Sequence, residues 1–333
     1  MKNSVKNKAF LIGNGINKAI SNNVKSWEDL LKELSSTLEI DLNNEFKPFP
    51  LTFEEILFKS DGELDEKLPK IKEKIANTFT DTPCNNLHSR LVFSGIENIL
   101  TTNYDYAFEK ALLNNFNNEK GKTPRSTKET LNSVKRRTKF EKIPIQNNES
   151  NRLNIWHIHG EINQRLYPSE LENTSNANSI MIGFEHYGAY MLEIQKYIKG
   201  EKSKKDKSIE EKILDSKYKP QSWIDFFFIG ELHIAGISYD FSEQHLWWLL
   251  NYRAKQIKRG KVSGGNKIFY YYSTAPEVDP GDLTKYAKQL MKKKMNKAKM
   301  DIFNSLGVET IPIEIQLNDY KDYYDQIFDK VMD

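Results

Sequence analysis

Short apolar runs recur along the chain, each stopping at a glycine or a polar residue, and longer stretches with helical spacing lie between them. Residues 9–12 form the first such run and stop at Gly13. Runs at 98–102, 153–159, 179–182, 232–236, 267–272 and 309–315 follow, and each predicts a short, largely buried strand. Helices are predicted just after Gly15, from a start at Ser26 with Asp29 three residues on, over 53–59, 64–79 and 85–93, and after Asp105 as far as 113. Further helices are expected over 187–198, 222–228, 243–257, 283–306 and 319–332. Strands alternating with helices over most of a chain favour a mainly parallel sheet covered on both faces. The expected fold is therefore a Rossmann-like α/β domain spanning residues 1–333, with a helical insert at about 26–93.

Composition narrows this picture. The 333 residues are 38% hydrophobic and 12% aromatic, enough for a sizeable core. Lys and Arg number 49 against 46 Asp and Glu, and a net charge of +3 argues against direct nucleic-acid binding. The single cysteine, Cys84, excludes a disulfide framework and a cysteine-rich zinc module. Residues 9–12 are too short for a signal-peptide core or a membrane span, and no other run reaches membrane length, so a soluble cytoplasmic protein is expected. Residues 117–151 are polar, basic and poor in large apolar side chains, and read as a surface excursion. Residues 199–219 are so highly charged that an exposed helix or loop is expected there.

Four predicted strand ends carry residues suited to a nucleotide, and open parallel sheets bind ligands at their carboxyl ends. The first is Gly13-Asn14-Gly15-Ile16-Asn17. Two glycines permit a tight turn and close approach to a pyrophosphate, but Lys18 stands where the dinucleotide fingerprint has its third glycine. A strand–helix turn that needs glycine only for its dihedrals explains the motif about as well. Thr102-Asn103-Tyr104-Asp105 follows the second strand, and helix capping accounts for one of its two polar residues but not both. His157 and His159 lie two apart at the third, as a metal pair lacking an obvious third ligand, as structural histidines, or with His159 as a base exposed to a cleft. The fourth offers Gly236 and Ser238 toward a phosphate or ribose, and Asp240, which serves equally as a helix cap. Trp247 and Trp248 read as core. The six histidines have no usual ligand spacing, so no metal is expected.

In this order and at these spacings the four motifs resemble the Sir2 superfamily. Gly13-Asn14-Gly15-Ile16-Asn17 is similar to its glycine-rich loop, with Asn17 in place of a serine, and Thr102-Asn103-Tyr104-Asp105 to its Gln-Asn-x-Asp element. His159-Gly160 is similar to its catalytic His-Gly pair, and Gly236-Ile237-Ser238 to its late nucleotide-contacting Gly-x-Ser motif. The four-cysteine zinc module and the Pro-x-Phe-Arg loop of the deacylases are missing. The stretches Ser222-Trp223-Ile224-Asp225 and 240–248 look like bacterial Sir2-like proteins of antiviral defence. The resemblance implies an NAD+ glycohydrolase that releases nicotinamide and ADP-ribose, works as an oligomer or with a partner encoded nearby, and serves abortive infection. It implies Asn103, His159 and Asp105 as catalytic residues, and Gly13, Asn14, Gly15, Asn17, Thr102, Gly236, Ser238 and Asp240 as the nucleotide's holders. The alternatives are a mono-ADP-ribosyltransferase and a non-catalytic subunit that senses NAD+ or ADP-ribose.

Overall fold

The computed structural model describes residues 7–19, 24–42, 47–118, 134–138, 153–162, 180–200, 206–262, 265–274, 283–316 and 319–332. At the middle of its sheet lies β1 (Lys8–Ile12), flanked by β2 (Asn98–Thr101) and β5 (Glu231–Ala235). Beyond β2 come β4 (Leu153–His157) and the edge strand β3 (Val134–Thr138). Beyond β5 come β6 (Lys267–Thr274) and β7 (Glu309–Glu314). All these pairs are parallel, and the seven-stranded order is β3-β4-β2-β1-β5-β6-β7. With β3 set aside, this is the Rossmann order. The chain runs outward from β1 through β2 to β4, crosses back to β5, and runs outward again through β6 to β7. The switch point is thus the crevice at the carboxyl ends of β1 and β5.

Side-chain alternation on β1 feeds two cores, because neighbouring residues of a strand face opposite ways. Ala9 and Leu11 join a cluster with Trp156, Trp223, Leu246 and Phe303. This face is covered by α7 (Phe184–Lys199), a 3-10 helix (Trp223–Phe227), α9 (Gln244–Lys258) and α10 (Leu283–Ser305). Phe10 and Ile12 join Leu91, Phe108 and Phe328, under α5 (Asn86–Val92), α6 (Ala107–Asn118) and α11 (Tyr320–Met332). A strand buried on both faces has no polar side, which is why 9–12 reads as one continuous apolar run. Trp247 is buried in the first core with Trp248 packed against it, as expected.

A third cluster unites α2 (Trp27–Thr37), α3 (Phe49–Lys59) and α4 (Leu64–Phe79) through Leu30, Phe53, Ile56 and Ile75, and includes Tyr104 just past β2. That contact sets these helices over the carboxyl ends of β1 and β2. Ser26 and Asp29 form the expected capping box, each side chain bonded to the other's backbone N–H.

Three expectations need correction. Within the expected surface excursion, residues 134–138 form a strand paired to β4, because sheet pairing overrides a basic sequence at an open edge; residues 119–133 and 139–150 lie outside the described residues. Residues 180–182 are buried but form no strand: Met181 N–H bonds to the His159 carbonyl at 2.8 Å, outside any ladder. The charged segment after 199 is partly buried. There α8 (Ile209–Leu214), capped by Ser208, seats Ile209 in the core and lays the Lys212 ammonium 3.6 Å from the Tyr197 ring centre and 3.8 Å from Asp225. Asp225, fully buried, accepts from the hydroxyls of Tyr197 and Tyr218, each at 2.8 Å. A lysine with an aromatic face and a carboxylate to meet can be buried.

Candidate active site

The glycines at the switch point pack against each other. Gly15 N–H donates to the Gly236 carbonyl at 3.0 Å, and Gly13 N–H to the Ala235 carbonyl at 3.3 Å. A Cβ on Gly13 would stand 2.7 Å from the Gly236 oxygen, and one on Gly15 would stand 2.8 Å from the Gly236 Cα. The absence of side chains therefore lets the loops after β1 and β5 touch. α1 (Gly15–Lys18) starts directly on this contact.

From α1 a polar network crosses to the loop after β2. Asn17 Nδ2 donates to Asp105 Oδ2 at 2.8 Å and to Asn14 Oδ1 at 3.0 Å, while Asn14 Nδ2 donates to the Lys25 carbonyl. Asp105 Oδ1 also accepts the Ala107 N–H at 2.9 Å and so fixes the start of α6. Burial pushes the Asp105 carboxyl above its ordinary range, against the pull of these hydrogen bonds. Beside the network lies a small hollow, lined by Asn14, Thr102, Asn103, Tyr104 and Asp105 and walled by Trp27 and Phe79. Asn103 is 8% exposed, and its side-chain Nδ2 has no hydrogen-bond partner among the described residues. Buried amide donors are nearly always paired, so an unpaired one beside a hollow is a ready ligand contact.

The two histidines of the third motif part company. His157 is fully buried, with Nε2 2.9 Å from Glu109 Oε1 and Nδ1 3.1 Å from the Asn103 carbonyl. Burial alone would lower its pKa, but the Glu109 carboxylate outweighs burial and holds it at about 9. His157 is thus a buried cation that steadies the Asn103 backbone. His159 does not open to a cleft: it is 1% exposed, and its Nε2 faces His245 Nε2 at 3.1 Å and Glu243 Oε2 at 3.4 Å. Between it and solvent stand Tyr187, its ring centre 5.9 Å away, and Glu243. Both line a second small hollow with Ser242, Gly183, Ile182 and Trp27. Trp27 walls both hollows.

Residues 97–212 match the family model described as SIR2-like domain. Over that third of the chain the protein is similar to SIR2-like domains. The match runs from β2 into α8 and holds Asn103, Asp105, His157 and His159; the loops after β1 and β5 lie outside it. No curated protein matches the chain. SIR2-like domains take NAD+ as substrate, and the match is compatible with NAD-dependent enzymatic activity.

The remaining motif residues sit less centrally. Ser238 is exposed and lines neither hollow. Asp240 Oδ1 accepts the Ser242 N–H at 2.9 Å, a turn before α9 and not its cap. The intervening Tyr239 takes a left-handed backbone, with φ 49°, which turns the chain and brings Glu243 and His245 back toward His159. Both were missed in the sequence, where they sit among ordinary helix-start residues. Their donor atoms and that of His159 all lie within 4.8 Å of one another, a spacing that an ion can bridge. A ligating histidine nearly always donates its other ring N–H to a carboxylate or carbonyl. His245 Nδ1 has no such hydrogen bond among the described residues, its nearest carboxylate oxygen lying 3.9 Å away. The set fits a proton-sharing cluster better than a metal centre.

Proposed function

We propose that this SIR2-like domain cleaves NAD+ between nicotinamide and ribose, giving nicotinamide and ADP-ribose. The observation that carries the reading is the buried, unpartnered amide nitrogen of Asn103 in a hollow at the sheet's carboxyl ends, beside the Asn17–Asp105 pair. Departure of nicotinamide builds positive charge on the ribose ring. Asn103 holds the ribose hydroxyls and the attacking water, and Asp105 orients the polar groups around them. His159, behind Tyr187 and Glu243, is the general base for the water's proton. Gly13, Asn14, Gly15, Asn17, Thr102, Gly236, Ser238 and Asp240 hold the nucleotide across the switch point.

The test is NAD+ consumption by the purified protein. His159→Ala and Asn103→Ala should each lower turnover by roughly 10²–10⁴-fold, the usual scale for a lost general base or a positioned polar contact. Label appearing on protein instead of in free ADP-ribose would move the reading to a transferase, and binding without turnover would move it to a sensor. In the same reading the enzyme is a toxic effector of antiviral defence, restrained by self-association or a partner, since uncontrolled NAD+ loss harms its own cell. Solution mass and turnover, measured on one sample with and without the products of neighbouring genes, test that step. An active monomer harmless on expression would refute it.

A further inference from the structure

The cleft's base, His159, is buried, so the proton it handles must pass through something that meets solvent. Among the described residues, His245, Tyr187 and Glu243 lie against it. His245 is fully buried, and a neutral phenol is a poor acceptor for a proton from water. Of these three, Glu243 joins the required properties. The residue lines the second hollow, its side chain is 18% exposed, and its Oε2 lies 3.4 Å from His159 Nε2. That oxygen is itself buried and makes no hydrogen bond of good geometry among the described residues.

We propose that Glu243 is a further catalytic residue of this cleft, the carboxyl through which the water's proton reaches His159, and that His245 is the positioning residue that holds the His159 ring. This rests on the NAD+-cleavage reading above. In the step, the bond between water oxygen and the anomeric carbon forms, and the ribose–nicotinamide bond breaks. Its electron pair goes to the nicotinamide ring nitrogen, neutralising it. The water's proton stays on the Glu243–His159 pair until it exchanges with solvent through the hollow.

The electrostatics agree with the geometry. Glu243 faces His159 after β4, His245 on α9, Tyr104 after β2, Tyr187 on α7, and Tyr239 and Asp240 on its own loop. None of these is a lysine or an arginine. Burial first and the Asp240 charge second push the Glu243 carboxyl up to about 8, within reach of proton exchange near neutrality. Burial, with His159 adding to it, drives His245 well below its ordinary range, so it stays neutral and serves as a hydrogen-bond partner at 3.1 Å.

The experiment measures kcat and KM for NAD+ with the full chain and its variants, and follows the His159 ring by NMR across pH. Glu243→Gln should lower kcat by roughly 10²-fold or more with KM changed little. His245→Ala should lower kcat, and His245→Gln, which can return a polar group near the position of Nε2, should recover much of it. The wild-type His159 signal should show a titration step near pH 8 that Glu243→Gln abolishes; this readout does not depend on turnover. Full kcat in folded Glu243→Gln, or an unchanged His159 titration, overturns the proposal. One divalent ion per chain, lost in Glu243→Gln and His245→Ala alike, overturns it in favour of a metal centre. A wild type that neither binds nor consumes NAD+ but keeps the coupled titration defeats the NAD+ reading instead.

Discussion

The phenolic oxygen of Tyr324, on α11, lies 1.8 Å from the point a Cβ on Gly236 would occupy. Gly236 also holds a left-handed backbone, with φ 67°, and a Cβ on Gly15 would stand 2.7 Å from the same oxygen. The last helix of the chain is therefore pressed into the switch point between β1 and β5. Burial keeps the Tyr324 hydroxyl protonated, its pKa well above the ordinary value.

Gly236→Ala should destabilise the fold by about 2 kcal/mol or more, from overpacking plus left-handed strain. Adding Tyr324→Phe removes the clashing oxygen but not the strain, and should return only part of the loss. A double-mutant cycle by urea unfolding checks this. Additive effects of the two changes would mean that the oxygen is not what excludes a side chain at 236.

Asn103→Ala should separate function from stability. It removes a buried donor that has no partner among the described residues, an arrangement that costs about 1–3 kcal/mol. The variant should melt at or above the wild-type temperature while NAD+ turnover falls by roughly 10²-fold. A clear drop in melting temperature would assign Asn103 a structural role.

Trp27→Ala should act on binding. Trp27 forms a wall of both hollows and meets Tyr104 edge-on, with ring centres 5.2 Å apart. The dissociation constant for NAD+, read by calorimetry, should rise on the order of tenfold, a loss of about 1.4 kcal/mol. An unchanged constant would place the ligand elsewhere.

The His157–Glu109 pair predicts a pH-dependent stability. The folded pKa of His157 is raised to about 9 from 6.5, so its contribution is complete below 6.5 and is lost as pH rises through about 9. The stability of the wild type relative to His157→Gln should shrink across that window by about 3 kcal/mol. Urea midpoints of both proteins at pH 6, 8 and about 10 measure it. A constant difference would mean that His157 is neutral in the fold.

What the sequence determines by itself is what neighbouring residues encode. The apolar run at 9–12, the Ser26–Asp29 cap and the polar strand ends at Asn103, His159 and Gly236 are local patterns, and each specifies an element or its end without reference to the rest of the chain. Of these, Asn103 and His159 fall within the SIR2-like match. Only the tertiary structure decides which ends meet and what lies between them. Sheet order brings the Gly13–Gly15 loop against Gly236, and α11 completes that contact with Tyr324. The left-handed turn at Tyr239 carries Glu243 and His245 to His159, 86 residues from His245 along the chain. The pairing of 134–138 with β4 is likewise a matter of an open edge and not of propensity. Burial then sets the chemistry: the same imidazole side chain is a cation beside Glu109 at His157 and neutral at His245. That difference arises from neighbours distant in sequence, whose charge and shielding exist only once the chain has folded.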